Sequence, residues 1–184
     1  KKPHASSISY TSQSSYLKRL NDVDNIESIT KQLYPKDDYD EGKLLRLTQQ
    51  YLLVSASLQS IISDYFAENG SLEGFQDKVA IHINDTHPTL SIPELMRFLL
   101  DECGYAWDKA WDIVTKTVAY TNHTIMSEAL ECWQEDLFRD RLPRIYQIVK
   151  EIDRRYRDEV MAATNDWGLV ERTAIINNGV VRMA

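Results

Sequence analysis

The chain has 184 residues, with 21 Lys and Arg against 28 Asp and Glu, and a formal net charge of -7. This length predicts about one domain with a core of its own. The composition, 43% hydrophobic and 27% charged, excludes collagen-like, low-complexity and grossly disordered chains. The acidic balance argues against nucleic acid and anionic membranes as partners, because both bind basic surfaces.

Cysteine content and hydropathy predict the compartment. Two cysteines, Cys103 and Cys132, are too few for a disulfide scaffold or a four-cysteine zinc site. We expect two buried, reduced thiols. No apolar run approaches the roughly 20 residues of a membrane span, and the N-terminus lacks the apolar segment of a secretory signal. These features together predict a cytoplasmic protein.

The N-terminal third of the chain predicts one long helix. We interpret the Ser-rich, aperiodic residues 1–20 as a loose or truncated segment. Asp24 and Glu27 form a capping-box pattern for a short helix that ends before a proline. A polar loop follows over residues 34–42. Apolar residues then recur with a period near 3.6 over residues 44–65, which predicts a helix of roughly 25 residues.

The middle of the chain alternates strands and helices. The apolar, β-branched residues 79–83 predict a buried strand. Ser91 as N-cap, a proline in the first turn and Glu94 predict the start of a helix that stops at Gly104. A further helix over residues 107–116 and a strand over residues 117–121 follow, and Trp107, Ala110, Trp111 and Val114 share one face of that helix.

The C-terminal third predicts more helix and a terminal hairpin. Residues 136–163 carry a helical pattern that Pro143 either kinks or restarts. Asn178 and Gly179 predict the turn of a hairpin. The chain stops inside an apolar run, which favours a piece excised from a longer protein.

Two polar loops are predicted to meet at one sheet edge. More than thirty residues separate the strands at 79–83 and 117–121, so the connection is a crossover and the strands run parallel. Open α/β sheets bind ligands at the carboxyl edge of such strands. Residues 84–87 and 121–124 leave the strands there, and each loop contains a histidine. This convergence predicts a functional site.

The same residues allow simpler interpretations. Asx and Ser/Thr side chains after strands often only cap the next helix or satisfy loop backbone. His82, His87, His123 and Asp85 are acceptable zinc or iron ligands by residue type. His82, however, sits mid-strand and points away from its neighbours, so we expect a hydrogen-bonded histidine in the core or on a sheet face.

Other catalytic motifs are sparse. The sequence contains no phosphate-binding glycine loop, no dinucleotide fingerprint and no Gly-x-Ser-x-Gly elbow. Glu128 and Glu131, with Asp37 or Asp85, would allow the paired carboxylates of a glycosidase. Such pairings also arise by chance in a chain this rich in acids, so the hydrolase alternative stays open.

Several long motifs resemble one enzyme family. Residues 78–88 read Lys-Val-Ala-Ile-His-Ile-Asn-Asp-Thr-His-Pro, and residues 92–97 read Ile-Pro-Glu-Leu-Met-Arg. Further matches lie at residues 33–35, 41–47, 119–124, 128–131 and 142–144. In order and spacing these segments closely resemble the α-glucan phosphorylases, a family that includes the glycogen, starch and maltodextrin enzymes. The resemblance runs from about residue 22 to the end of the chain.

The resemblance implies a fold larger than this chain. The family has two Rossmann-like domains in the GT-B arrangement, with pyridoxal phosphate held as a Schiff base. Residues 21–184 would form the later part of the helix-rich α/β N-terminal domain and end near the start of the second domain. The cofactor lysine would lie outside this chain, and the chain alone would be inactive.

The resemblance also implies an activity for the parent enzyme. Inorganic phosphate would cleave the terminal unit of an α-1,4-glucan and release glucose 1-phosphate. The parent would act as a homodimer, without nucleic acid or membrane partners. The alternative is a non-catalytic α/β module that binds an oligosaccharide or a protein partner.

By motif position the resemblance implies roles for individual residues. His123 would be the catalytic residue, binding the glucosyl 6-hydroxyl and offering its backbone carbonyl to the anomeric centre. Asn122 and Thr124 would hold its loop, and Asp85 and His87 would support it from behind.

Four further acids are implied to surround the substrate. Asp37 and Asp38 would belong to the acidic loop that gates the cleft, although the family usually has Asn at the Asp38 position. Glu128 and Glu131 would line the pocket beside the glucosyl site.

Overall fold

A computed structural model describes residues 27–31, 35, 39–126 and 130–183. The chain divides into two compact units, Lys1–Gln49 and Gln50–Ala184. The segment predicted to be loose, residues 1–20, and Asp24 of the predicted capping box lie outside the described residues.

The first unit contains a helical turn at residues 27–31 and the beginning of helix α1 (Asp40–Asn69). Gln49 Nε2 donates to the carbonyl of Ile29 at 2.6 Å, and Leu47 is fully buried. The long helix is confirmed, but the expected polar loop over residues 34–42 is too long at its end. Asp40 and Glu41 form the first helical turn instead, where acidic side chains interact favourably with the N-terminal end of the helix dipole.

The second unit contains the predicted parallel pair. After the short helix α2 (Phe75–Lys78) come strand β1 (Ile81–Asn84) and, beyond the crossover, strand β2. β2 spans Val118–Thr121 and pairs with β1 in parallel, so the crossover is confirmed. β1 begins two residues later than predicted because the N–H of Val79 still donates to the carbonyl of Phe75 and closes α2.

The crossover is helical throughout. Helix α3 (Ser91–Arg97) continues into a π-helical turn (Phe98–Glu102), and helix α4 (Trp107–Thr117) leads directly into β2. The predicted capping box at the start of α3 is wrong. The N-cap position is Leu90, and the N–H groups of Ser91 and Ile92 donate to the carbonyls of the preceding turn. Because the backbone already satisfies these donors, no side-chain cap is needed.

Helix α4 buries a different face from the predicted one. Ala110 and Val114 are buried as expected, together with Ile113 and Thr117. The two tryptophans of the predicted face are only half-buried, and they line a cavity of about 590 Å³. Arg155 stacks over the Trp107 ring at 4.9 Å from its centroid.

The remainder of the second unit combines a small sheet with helices. Strand β3 (Cys132–Gln134) is followed by helices α5 (Glu135–Arg141), α6 (Pro143–Thr164) and α7 (Trp167–Thr173). Strands β4 (Ile176–Asn177) and β5 (Val180–Arg182) complete an antiparallel sheet in the order β3-β5-β4. Pro143 starts a new helix, so of the two sequence alternatives a restart is confirmed. β3 and α7 were not predicted.

The terminal hairpin is confirmed. Asn178 and Gly179 both have positive φ, 51° and 72°, as a two-residue hairpin turn of type I′ requires. The expectation of buried thiols is wrong. Cys103 is half-buried and Cys132 is exposed, because strand alternation turns Trp133 inward and its neighbour Cys132 outward.

Packing of α3 against α6 places the core of the second unit next to the parallel pair. Leu95, Met96 and Leu99 are fully buried there, and Ile83 of β1 is 1% exposed. In the part of the chain that the structure describes, no helix is long and apolar enough to cross a membrane.

Candidate functional site

The two polar loops meet at the carboxyl edge of the β1–β2 pair. The N–H of Asp85 donates to the carbonyl of Thr121 at 2.8 Å and extends the pairing by one residue beyond the strands. The N–H of His123 then donates to Asp85 Oδ1 at 3.0 Å. The two loops are therefore held side by side through one carboxylate, as the crossover predicted.

The ring of His123 is held by a second residue of the same strand. Its Nε2 lies 2.6 Å from Oδ1 of Asn84, the last residue of β1. Asn84 was not among the predicted site residues. The polar run after the strand was the available signal, but the contact depends on the register that pairs Asn84 with Thr121.

Asp85 has an unusual backbone conformation. Its φ is 61°, in the left-handed region that Asp and Asn tolerate better than most other residues with a Cβ. This conformation turns the chain sharply as it leaves β1 while the side chain of Asp85 reaches His123. The site therefore constrains both the backbone and the side chain at this position.

The second loop is closed on itself. Asn122 Nδ2 donates to the carbonyl of Thr124 at 2.9 Å, and the N–H of Thr124 donates back to Asn122 Oδ1 at 3.3 Å. Thr124 Oγ1 accepts from the N–H of Met126 at 3.2 Å. These local bonds shape the turn that carries His123.

His82 lies on an exposed face of the same sheet. Its Nε2 is 2.5 Å from Thr121 Oγ1, so the expected hydrogen-bonded, sheet-face histidine is confirmed. Among the described residues there is no group of three or more His, Cys, Asp and Glu side chains that could hold a metal ion.

The other predicted residues lie apart or outside the described segments. Glu131 accepts from Gln50 Nε2 at 2.9 and 3.1 Å, through its two carboxylate oxygens. His87 is exposed and lines a cavity of about 390 Å³ together with Gln50 and His82. Asp37, Asp38 and Glu128 lie outside the residues that the structure describes.

The electrostatics of the edge reflect the carboxylate of Asp85. The pKa of the Tyr120 phenol is raised, first by burial and then by the negative charge of Asp85. Tyr120 pairs with Ile83 across the strands. A charged Asp85 is therefore felt on both sides of the loop it supports.

A buried carboxylate anchors the helix that follows the Asp85 loop. Glu94 of α3 is 1% exposed, and it accepts from Tyr51 Oη at 2.8 Å and Ser55 Oγ at 2.9 Å. Arg97 donates to it through Nε and Nη2 at 2.9 and 3.1 Å. Burial, followed by the hydrogen bond to Glu94, raises the pKa of Tyr51 to about 12, and Glu94 also raises the pKa of Arg97.

Comparison with known proteins places the chain in one family. The model of a family described as carbohydrate phosphorylase matches residues 1–184, including the first twenty residues, in which we identified no motif. The chain is 52% identical to the glycogen phosphorylase of Bacillus subtilis over 159 residues, which is 86% of this chain and 20% of that protein.

Two eukaryotic relatives give the same result. The wheat (Triticum aestivum) α-glucan phosphorylase H isozyme is 48% identical over 168 residues, covering 86% of this chain and 20% of the relative. Mouse (Mus musculus) muscle glycogen phosphorylase is 45% identical over 176 residues, covering 91% and 21%. The chain thus spans about a fifth of the length of these relatives, and it belongs to the carbohydrate phosphorylase family.

Proposed function

We propose that residues 21–184 are part of the N-terminal, Rossmann-like domain of a GT-B α-1,4-glucan phosphorylase. The parent enzyme transfers a terminal glucosyl unit to inorganic phosphate and forms glucose 1-phosphate. The observation that carries this proposal is the His123 cluster at the carboxyl edge of the parallel strands, in a chain whose relatives are named as phosphorylases.

The anchors of His123 support its role in this reaction. Asp85 holds its backbone N–H and Asn84 holds its ring, so neither has to reorganise when a sugar binds. The glucosyl carbon develops positive charge as its bond to the leaving oxygen breaks. A preoriented carbonyl oxygen, here that of His123, stabilises such charge without reorganisation of the site. The ring nitrogen that Asn84 does not occupy binds the 6-hydroxyl of the sugar.

The remaining residues complete the pocket in this proposal. Asn122 and Thr124 set the shape of the loop. Glu131, fixed by Gln50, and Glu128 line the pocket, while Asp37 and Asp38 gate its entrance. His87 supports the loop after β1.

The cluster does not fit the attachment of pyridoxal phosphate. Its described members, Asn84, Asp85, Asn122, His123 and Thr124, include no lysine, which the cofactor requires for covalent attachment. We therefore place the cofactor of the parent enzyme outside these 184 residues. The parent is a homodimer in this proposal.

The test is phosphorolysis by the full-length enzyme that contains this chain. The wild-type enzyme should release glucose 1-phosphate from maltodextrin and phosphate. His123→Ala should lower kcat/KM about a hundredfold, the loss expected when one preoriented polar group is removed from a site. Lys116→Ala is the control, because Lys116 lies exposed at the opposite end of β2 and pairs only with Asp112 of its own helix.

Each outcome has a defined meaning. A full-length wild-type protein that binds maltodextrin without turnover would overturn the enzymatic proposal in favour of the oligosaccharide-binding module. An enzyme in which His123→Ala is as active as Lys116→Ala would retain the function but remove the role of His123.

A further inference from the structure

We propose that Asn84 is a positioning residue that fixes the proton of the His123 ring on Nε2 and thereby presents Nδ1 to the sugar as a hydrogen-bond acceptor. The inference rests on the proposed function and adds a specificity to it. The site would select a sugar whose 6-hydroxyl can donate a hydrogen bond.

The first step is the contact itself. Asn84 Oδ1 lies 2.6 Å from His123 Nε2. An amide oxygen carries lone pairs and no hydrogen, so the nitrogen opposite it must supply the proton. A neutral imidazole has one N–H, and with that proton on Nε2 the lone pair is on Nδ1.

The second step is the rigidity of the support. Asn84 is the last residue of β1 and pairs with Thr121 of β2. The next residue, Asp85, accepts the backbone N–H of His123 at 3.0 Å. Adjacent residues of one strand therefore hold the backbone and the ring of His123 at the same time. A histidine restrained at both points presents its second nitrogen in one direction only.

The third step is access. His123 is exposed, and so are Asn122 beside it and Ile125, which is fully exposed at the end of the same loop. The ring can therefore receive a hydroxyl from outside the protein. A lone pair on Nδ1 binds a hydroxyl that donates, and it gains nothing from a group that can only accept.

This chemistry predicts a measurable preference. In the direction of glucan synthesis, the enzyme should use glucose 1-phosphate better than 6-deoxy-6-fluoroglucose 1-phosphate, because fluorine cannot donate a hydrogen bond. We expect a preference of about tenfold in kcat/KM, which corresponds to about 1.4 kcal/mol for one hydrogen bond. The preference, rather than the absolute rate, is the readout, since a merely structural residue would change both substrates alike.

The experiment compares three variants of the full-length enzyme with these two substrates. Asn84→Leu removes the acceptor at nearly constant size, and the preference should fall toward unity. Asn84→Asp keeps an acceptor oxygen opposite Nε2 and should keep the preference. Asn69→Leu is the matched control, since Asn69 is also exposed and hydrogen bonded but lies at the end of α1, where it contacts Lys78.

Two outcomes would overturn the inference. An active Asn84→Leu enzyme that retains the tenfold preference would show that Asn84 does not act through the ring. Loss of the preference in Asn84→Asp as well would show that the amide of Asn84 donates to Nε2, which would place the ring proton on Nδ1. If Asn84→Leu unfolds, Asn84→Ser replaces it, because its shorter side chain does not reach the ring.

Failure of the proposed function itself has a different signature. A wild-type enzyme that uses neither sugar phosphate would refute phosphorylase activity, whatever the Asn84 variants do. A second control addresses coupling between the two residues. In a His123→Ala background, Asn84→Leu should have no further effect on the preference, since the group through which it acts is gone.

Discussion

Replacement of Glu94 by glutamine should destabilise the protein by about 3 kcal/mol. The carboxylate of Glu94 accepts hydrogen bonds from Tyr51, Ser55 and Arg97 while it is 1% exposed to solvent. Glutamine has almost the same shape but no charge, and its amide nitrogen would face the guanidinium of Arg97, which cannot accept a hydrogen bond.

The magnitude follows from what is left unpaired. Removing one partner of a buried ion pair costs about 3–5 kcal/mol, mostly because the other charge stays buried without compensation. The side chain of Arg97 is 20% exposed and also contacts Glu102 at 3.0 Å, so part of its charge stays solvated and paired. The expected cost therefore lies at the lower end of the range. Glu94→Leu, which removes both acceptor oxygens, should approach the upper end.

The assay is denaturant unfolding of the protein that contains this chain, with Glu102→Gln as the matched control. Glu102 pairs with the same arginine, but its side chain is 56% exposed, so its removal should cost less than about 1 kcal/mol. The reasoning is refuted if Glu94→Gln and Glu102→Gln destabilise the protein equally, because burial would then make no difference to the pair.

Two further predictions concern Tyr51 and Asp85. The pKa of Tyr51 is about 12 in the folded protein against 10.0 in the unfolded reference, so its contribution is complete below pH 10 and is lost as the pH rises to about 12. Stability should fall by about 2 kcal/mol over that interval in the wild type and less steeply in Tyr51→Phe, measured by denaturant unfolding, and equal slopes would contradict the shift. At Asp85, Gly should be about 1 kcal/mol more stable than Ala because φ is 61°. Both variants should lose phosphorolysis equally, while Asp85→Asn, which keeps an acceptor for the His123 N–H, should keep most of the rate; equal rates in Asn and Ala variants would show that this acceptor is unimportant.

The parallel pair could be predicted because its signals are local. A short β-branched run, a connection too long for a hairpin and a second short strand determine the topology by chain length and chirality. The polar residues after each strand then had to share an edge. The contact between His123 and Asp85 is the direct consequence of that topology.

The start of α3 shows why a local signal can fail. Ser91 and Glu94 have the spacing of a capping box, but both side chains find other partners. Ser91 Oγ donates to the carbonyl of Pro88 at 2.6 Å, and Glu94 is buried against Tyr51 and Arg97. Tertiary partners that lie far away in the sequence outcompeted the local motif, and no pattern within the helix reveals them.

Strand β3 could not be predicted for a related reason. Cys132–Gln134 is only three residues long, and its partner β5 lies about fifty residues further along the chain, at Val180–Arg182. A strand this short has no periodicity of its own, so its identity depends on the partner. The exposure of Cys132 and the burial of Trp133 follow only once this pairing is known.

Two layers of support beneath the site have separable consequences. The Glu94 network joins the segment of α1 after Gln50 to α3, and thus fixes the helix that follows the Asp85 loop. Its loss should appear in the free energy of unfolding and should affect all substrates alike. Asn84 lies on the exposed edge of the sheet and contacts the His123 ring directly, so its loss should cost little stability and should appear in the choice between sugars. A protein in which Glu94 variants changed sugar preference, or Asn84 variants changed only stability, would require a different order of support beneath His123.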